Sequence, residues 1–539
     1  MTPALVLLAY LLALSALAVW SRGQTTSLSG LYIAGKRLPF WVVAFSTNAT
    51  GESGWLLLGL TGMGYAVGAQ AYWVMIGEVI GMALAWMLIS RRLKRLSDQT
   101  DSITLPDVIA ARFGEPARLL RGIAVFIILT MVCAYVTAQM VASGKALSSF
   151  LGMDYTTAVV AGAAIIITYT FVGGYKAVAY TDVLQGGLML AGLIVVPAVA
   201  ISEAGGWQEV ARNLDAQDPS LLSMWSITGG GLPGWIALAS FLAIGLPFLG
   251  VPQLMVRFMS AKDDVELKKA SVISVLVILL FDAGAVTAGM AGRALHPTLD
   301  DPESIFPLLS SELFPPVLAG VLMVVVLSAI MSTVDSLLLL ASSAVVRDTV
   351  QKVFGSLKSD RTLAIYGKVA TVLIGLIGVG FALKEVPLIF WFVLFAWSGL
   401  GAAFGPPILC MLYDRRTTGA GVAAGMLGGF LTSVIWVLAF KSSSHGLYEM
   451  IPGFVVGILL TVVISRMTVK RGRPLACGQD ERPAPGPEAV HRDRREVPRG
   501  TLTSFAAMVC GRIARDASRA GSSRAPYNRT QGEPPNRQG

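Results

Sequence analysis

Long apolar runs separated by short polar connections organise the chain from its start to about residue 469. Runs of about 18 to 25 residues are long enough, as helices, to cross a bilayer core of about 30 Å. The pattern predicts about 13 such spans, near 2–20, 39–66, 69–90, 119–149, 155–172, 180–202, 232–256, 270–292, 316–346, 362–383, 387–412, 418–440 and 449–467. Two of them are interrupted. The run 39–66 contains Ser46-Thr47-Asn48-Ala49-Thr50-Gly51-Glu52-Ser53-Gly54, and the run 232–256 contains Gly245-Leu246-Pro247-Phe248-Leu249-Gly250-Val251-Pro252. Lipid offers no hydrogen-bond partners, so a broken helix at membrane depth is buried in protein or lines a cavity. Paired interruptions in corresponding spans of two half-repeats point to a binding site between them.

Composition sharpens this picture. Hydrophobic residues make up 54% of the chain and charged residues 14%, against about a quarter charged in soluble domains. The chain reads as an all-α polytopic membrane protein. Its histidines, His296, His445 and His491, fall in predicted connections or beyond residue 470, and Cys133, Cys410, Cys477 and Cys510 are scattered. No spacing among them fits a zinc site, a redox pair or a catalytic cluster, so no enzyme is expected. The first run lacks a basic start and an obvious small-residue cleavage site, and is expected to remain as a span.

The net charge of +9 is informative through its distribution. One alternating set of connections holds Arg22, Lys36, Arg37, Arg91, Arg92, Lys94, Arg95, Arg112, Arg118, Lys176, Arg257, Lys262, Lys268, Lys269, Arg347, Lys352, Lys358, Arg361, Lys368, Arg415 and Arg416. The opposite set holds only Arg212, Arg293, Lys384 and Lys441. Cytoplasmic connections are enriched in Lys and Arg, which predicts a cell-membrane protein with its N-terminus outside and its C-terminus in the cytoplasm. No nucleic-acid partner is needed to explain the charge. Residues 470–539 are rich in Arg, Pro, Gly and Ser and are expected to form a disordered cytoplasmic tail, within which Leu502 to Ala520 can form a basic amphipathic helix on the inner membrane face.

Several ordered stretches carry a resemblance: "GESGWLLLGLTG" from Gly51, "TYTFVGGYKAVAYTD" ending at Asp182, "GVPQLMVRFM" from Gly250, "SAIMSTVDSLLLLASSA" from Ser328, "AWSGLGAAFGPP" from Ala396 and "GLYEMIPGF" from Gly446. Together they resemble the solute:sodium symporter family over nearly the whole of the membrane domain, 1–469. The resemblance implies an inverted five-plus-five helix repeat core, at about 39–412, with Na+ as the coupling ion and no cofactor. It also implies uptake of a small solute by alternating access, L-proline first, with a monocarboxylate, pantothenate or a sugar as alternatives. A transporter-like sensor and a channel are the other classes weighed.

Ser332 and Thr333 are adjacent hydroxyls in the middle of the span 316–346. Alone, such hydroxyls bond back to carbonyls of their own helix. Beside a broken helix they join freed carbonyls as oxygen ligands for a small hard cation. The residues that match the family's sodium site are Ala49 and Glu52, through their carbonyls, with Ala329, Ser332 and Thr333. Asp182 matches an aspartate near the sodium path or in a second sodium site; its other reading is an acid stabilised at the N-terminus of its own helix. For the solute, the resemblance points to Ser53, Gly54, Trp55, Tyr135, Phe248, Pro252 and Gln253, with a carboxylate held by N–H groups of a half-helix. The sequence departs from the family's proline carriers where Gly51 replaces an acid, with Glu52 one position later, where Ile244 replaces an aromatic, and where Phe248 replaces a tyrosine. Glu78 and Asp282, acids at membrane depth, are expected to pair with hydroxyls or amides across helices.

Overall fold

The computed structural model describes residues 2–21, 27–114, 117–172, 174–228, 231–356, 358–384 and 389–469. The segment 470–539, with the disorder and amphipathic-helix readings made for it, lies outside the described residues. The long helices, in chain order, are α1 (Thr2–Ser21), α2 (Phe40–Gly54), α3 (Thr61–Val67), α4 (Tyr72–Leu84), α5 (Ala117–Leu151), α6 (Tyr155–Val172), α7 (Tyr175–Glu203), α8 (Leu232–Ala243), α9 (Pro252–Ser260), α10 (Asp264–Leu295), α11 (Pro316–Ser343), α12 (Asp360–Ala382), α13 (Ile389–Tyr413), α14 (Gly419–Ile435) and α15 (Met450–Thr468).

Eleven helical runs among the described residues are long and apolar enough to cross a membrane. The difference from the sequence pattern lies in two places. The run Phe40–Gln99 is a single helical stretch of 60 residues, yet it reverses direction at Gly68, where φ is 61° and a Cβ would stand 2.1 Å from the Leu221 carbonyl oxygen. Contacts along α10 trace the reversal. On the way out, Asn48 donates to Ser274 (3.1 Å) and Gly64 packs on Val286; on the way back, Tyr72 bonds Thr287 (2.8 Å) and Glu78 lies beside Asp282. The second place is α6, whose apolar stretch Tyr155–Thr168 is shorter than the spans beside it.

The helices from α2 to α13 form two halves whose packing repeats. α5 packs on α6 as α11 packs on α12, α5 packs on α13 as α11 packs on α7, and α4 packs on α8 as α10 packs on α2. The second helices of the two halves, α4 and α10, run antiparallel, as the paired contacts Tyr72 with Thr287 and Glu78 with Asp282 require. That is an inverted repeat, with the interrupted helix first in each half. α11 sits at the centre: every residue from Leu322 to Ser343 is buried, the polar Ser328, Ser332, Thr333, Asp335 and Ser336 included. α1 docks on it, with the Ser328 hydroxyl donating to Tyr10 Oη at 3.0 Å. α14 and α15 close the bundle through small residues; a Cβ on Gly421 or Gly425 would meet Ser465 or Thr461 of α15 at 2.0 Å and 1.9 Å, the close backbone approach that helices use in lipid.

Candidate functional site

The first interruption is shorter than its polar sequence predicts. Ser46 to Glu52 stay helical, and only Ser53 leaves the helix, at φ 55° and ψ −171°, before a π-helical stretch at Trp55–Leu60. The polar side chains find partners without breaking the helix: Thr47 donates to the Val43 carbonyl (2.6 Å) and Asn48 to the Ala44 carbonyl (3.0 Å), while Ser46 donates to Asp182 (2.6 Å) and Thr50 bonds Ser336 (3.1 Å). A serine in that backbone region costs about 1–3 kcal/mol, a strain that clusters at functional positions. Its Oγ accepts from the Trp55 N–H (3.1 Å), and the Gly54 N–H donates to Gln139 Oε1 on α5 (3.0 Å). The second interruption matches the sequence pattern. α8 ends at Ala243, a 3-10 turn spans Leu246–Leu249, and helix resumes at Pro252.

α11 crosses α2 just before the Ser53 break. The Ser332 hydroxyl lies 2.7 Å from the Ala49 carbonyl oxygen and 3.0 Å from that of Ala329. Thr333 donates one residue further along, to the Thr50 carbonyl (3.1 Å). Ala49, Ala329 and Ser332 therefore present converging neutral oxygens, of the kind a monovalent hard cation can take as ligands. Thr333 is adjacent. Glu52 shares no hydrogen bond with them; its carbonyl accepts from the Trp55 N–H.

A small cavity lies on the other side of the break. Gly51, Ser53, Trp55, Glu78, Tyr135, Val393, Leu394 and Trp397 line about 10 Å³, no more than one water requires. Aromatic rings seal it. Trp55 stacks on Phe390 with centroids 5.4 Å apart, while Tyr135 and Phe248 meet Trp397 edge-on at 6.2 Å and 5.3 Å. A solute can bind here only if these rings part.

The signature of the sodium:solute symporter family covers residues 31–429, which holds both interruptions and α11. The chain belongs to this family. Similar proteins include the osmoregulated proline transporter OpuE of Bacillus subtilis (strain 168), 34% identical over 464 residues, 85% of this chain and 93% of that protein. The high-affinity proline transporter PutP of the same strain is 35% identical over 450 residues, 83% and 94%. A sodium/proline symporter of Staphylococcus aureus is 34% identical over 476 residues, 86% and 92%. Among solved structures, a Na+-coupled sialic acid symporter in a substrate-bound outward-open state shares the fold, with a TM-score of 0.71 at 20% identity over 87% of this chain and 98% of that one.

Within this symporter, several side chains sit where the sequence alone did not put them. Gln253 does not join Trp55 and Tyr135. It lines a separate crevice with Tyr32, Tyr175, Arg257 and Ser336, because it lies one residue past Pro252 on α9 and faces α11. Pro252 itself starts α9 without lining the aromatic cavity. Asp182 is not an open acid at a helix start. Arg257, read as a cytoplasmic connection residue, is 1% exposed and donates to Asp182 Oδ2 (3.1 Å), Ser46 Oγ (3.1 Å) and Thr50 Oγ1 (2.7 Å), as well as to Ser336. Glu78 and Asp282 do not pair with hydroxyls or amides; neither oxygen of Asp282, nor Oε2 of Glu78, has a hydrogen-bond partner. The sequence reading also passed over Gln139 and Trp397. Trp397 lies in the quoted "AWSGLGAAFGPP" stretch, so its motif was visible; a glutamine inside a 35-residue apolar helix was the signal for Gln139.

Proposed function

We propose that this symporter couples inward Na+ movement to uptake of L-proline or a closely related zwitterion. The observation that carries the reading is the Ser332 hydroxyl held between the Ala49 and Ala329 carbonyls, beside a helix break that opens on an aromatic cavity. Na+ at these oxygens, with Thr333 and the Glu52 carbonyl as further candidates, draws α11 against α2 and sets the break. The Gly54 and Trp55 N–H groups, which here bond Gln139 and Ser53, turn to receive the solute carboxylate. Trp55, Tyr135, Phe248 and Trp397 enclose an apolar ring. Each ligand then raises the other's affinity, as reciprocal linkage demands. The names of the similar proteins support proline over a monocarboxylate, pantothenate or a sugar.

In this reading the protein is a carrier, neither an enzyme nor a sensor, with its N-terminus outside and the basic connections in the cytoplasm. One Na+ moving through about 100 mV supplies about 2.3 kcal/mol, enough for roughly a 40-fold solute gradient at about 1.4 kcal/mol per decade. Labelled L-proline uptake into proteoliposomes tests it. The reading requires accumulation driven by an inward Na+ gradient, absent when K+ replaces Na+, and blocked by excess unlabelled proline. Uptake that proceeds without Na+, or a competition panel in which proline displaces nothing, contradicts it.

A further inference from the structure

Glu52, Glu78 and Asp282 come from three helices, α2, α4 and α10, and one oxygen of each lies within 4.8 Å of the other two. The residues are 1%, 3% and 0% exposed. Both oxygens of Glu52 and of Asp282, and Oε2 of Glu78, are buried without a donor. No ion pair among the described residues includes any of the three. Several other buried acids of this chain have a cation beside them, Asp182 with Arg257, Asp348 with Arg121 and Glu303 with Lys145; Asp335, bonded by Thr170, stands without an ion pair among the described residues, but it stands alone and not in a cluster. An uncompensated buried carboxylate costs several kcal/mol, and like charges at this separation repel one another. The cluster is neutralised either by protons shared among the three carboxyls or by a bound cation.

We propose that Glu52, Glu78 and Asp282 form a second cation site, separate from the Ala49, Ala329 and Ser332 oxygens, that holds a hard divalent cation: Mg2+, Ca2+ or Mn2+. The donors are carboxylates alone, the ligand type of these hard cations; the nitrogen and sulfur ligands that favour zinc or copper are lacking in the set. A monovalent ion would leave two formal negative charges unbalanced, and a divalent ion leaves one. The site also differs in purpose from the neutral oxygens around Ser332. In this proposal the cation is a structural tie among three helices and not the ion carried in each transport cycle. Its position gives the tie an effect. Glu52 immediately precedes the Ser53 break. The helix that carries Glu78 packs backbone to backbone on the second interruption; a Cβ on Gly77 would lie 2.5 Å from the Leu242 carbonyl oxygen, and one on Gly81 2.0 Å from that of Gly245. The cation thus pins both interruptions together, and through Glu78 it borders the aromatic cavity.

The test reads cation binding and does not depend on solute or transport. The full-length protein in lipid nanodiscs is titrated with Mn2+, and free Mn2+ is followed by its EPR signal. The expected result is one bound Mn2+ per chain, weakened about tenfold or more by Glu78→Gln and by Asp282→Asn, unchanged in Ser332→Ala, and retained in excess Na+. Stoichiometric binding that ignores both acid substitutions, or no binding, overturns the site; displacement by Na+ at matched concentration overturns its divalent character. A readout that needs no variant is thermal melting of the wild-type protein. Its Tm should rise when Mn2+ or Ca2+ replaces EDTA, and an unchanged Tm counts against the proposal.

Discussion

At Gly51 a Cβ would stand 3.3 Å from Cε1 of Phe248. The ring of the second interruption therefore rests on the residue that is acidic in the family's proline carriers, and glycine at 51 and phenylalanine at 248 are matched to each other. Gly51→Ala should lower the Tm to the extent that the Phe248 ring cannot yield the few tenths of an ångström the methyl needs, and Phe248→Leu in the same chain should restore what is lost; an equal or higher Tm in Gly51→Ala would show that the ring yields. The buried Arg257–Asp182 pair makes a second prediction at this scale. Asp182→Asn alone should cost about 3–5 kcal/mol because it leaves a guanidinium buried without its counter-charge, whereas replacing both residues by apolar ones of similar volume should cost much less; a double-mutant cycle on thermal stability measures the difference. The hydroxyls of Ser332 and Thr333 were legible in the sequence because they stand side by side in a span opposite a break. Arg257 was not, because a lysine or arginine near a span end reads as a connection residue until folding brings Asp182 within reach across 75 positions of chain.

At the scale of elements, polarity located the first interruption but overstated its length. Thr47 and Asn48 bond back to their own helix, and Ser46 and Thr50 find partners on neighbouring helices, so Ser46 to Glu52 stay helical and the break contracts to Ser53. Proline and glycine, which remove or free the backbone itself, marked the second interruption at its true extent. The start of α13 illustrates what no local pattern reveals. Glu303, buried on the connection between α10 and α11, accepts from the Ile389 N–H (3.0 Å) and the Phe390 N–H (2.9 Å) and pairs with Lys145 of α5 (3.0 Å). Phe390 in turn covers Trp55 at the break. The carboxylate thus caps α13 and holds the aromatic seal over the cavity. Hydrogen bonds to a charged acceptor contribute about 1.5–3 kcal/mol each. Glu303→Ala should then speed amide exchange at Ile389 and Phe390 by about tenfold or more, and equal exchange in the two proteins would show that the cap is not what holds this end.

Across the whole molecule, the order of spans and the pairing of interruptions were readable from hydropathy and from Gly and Pro positions, while the inverted repeat came from the family resemblance. The turn at Gly68 falls where the sequence reading parts the spans 39–66 and 69–90, although helix continues to either side of it with only a 3-10 turn at Gly68–Ala71. Charged networks that tie distant elements were hidden. Arg121 of α5 bonds Asp107 (2.6 Å) and Asp348 (2.7 Å), and Arg347 bonds Asp107 (2.9 Å), joining α5, the short helix Leu105–Phe113 and the stretch that follows α11. Burial on its own would raise the Asp107 carboxyl, but Arg347 and Arg121 outweigh it and hold the group below its ordinary value of 3.8. A lowered folded value means the stabilisation is complete above that ordinary value and is lost as pH falls below it. The Tm should drop more steeply on acidification below about pH 4 in the wild-type protein than in Asp107→Asn. The central claim is that the oxygens joining α2 to α11 bind the Na+ that readies the solute cavity, and its most direct test is the dependence of L-proline affinity on Na+ in the purified protein. The account predicts that raising Na+ tightens proline binding in the wild type, and that Ser332→Ala/Thr333→Ala removes this dependence while folding is retained. Proline affinity that responds to Na+ equally in both proteins would contradict it.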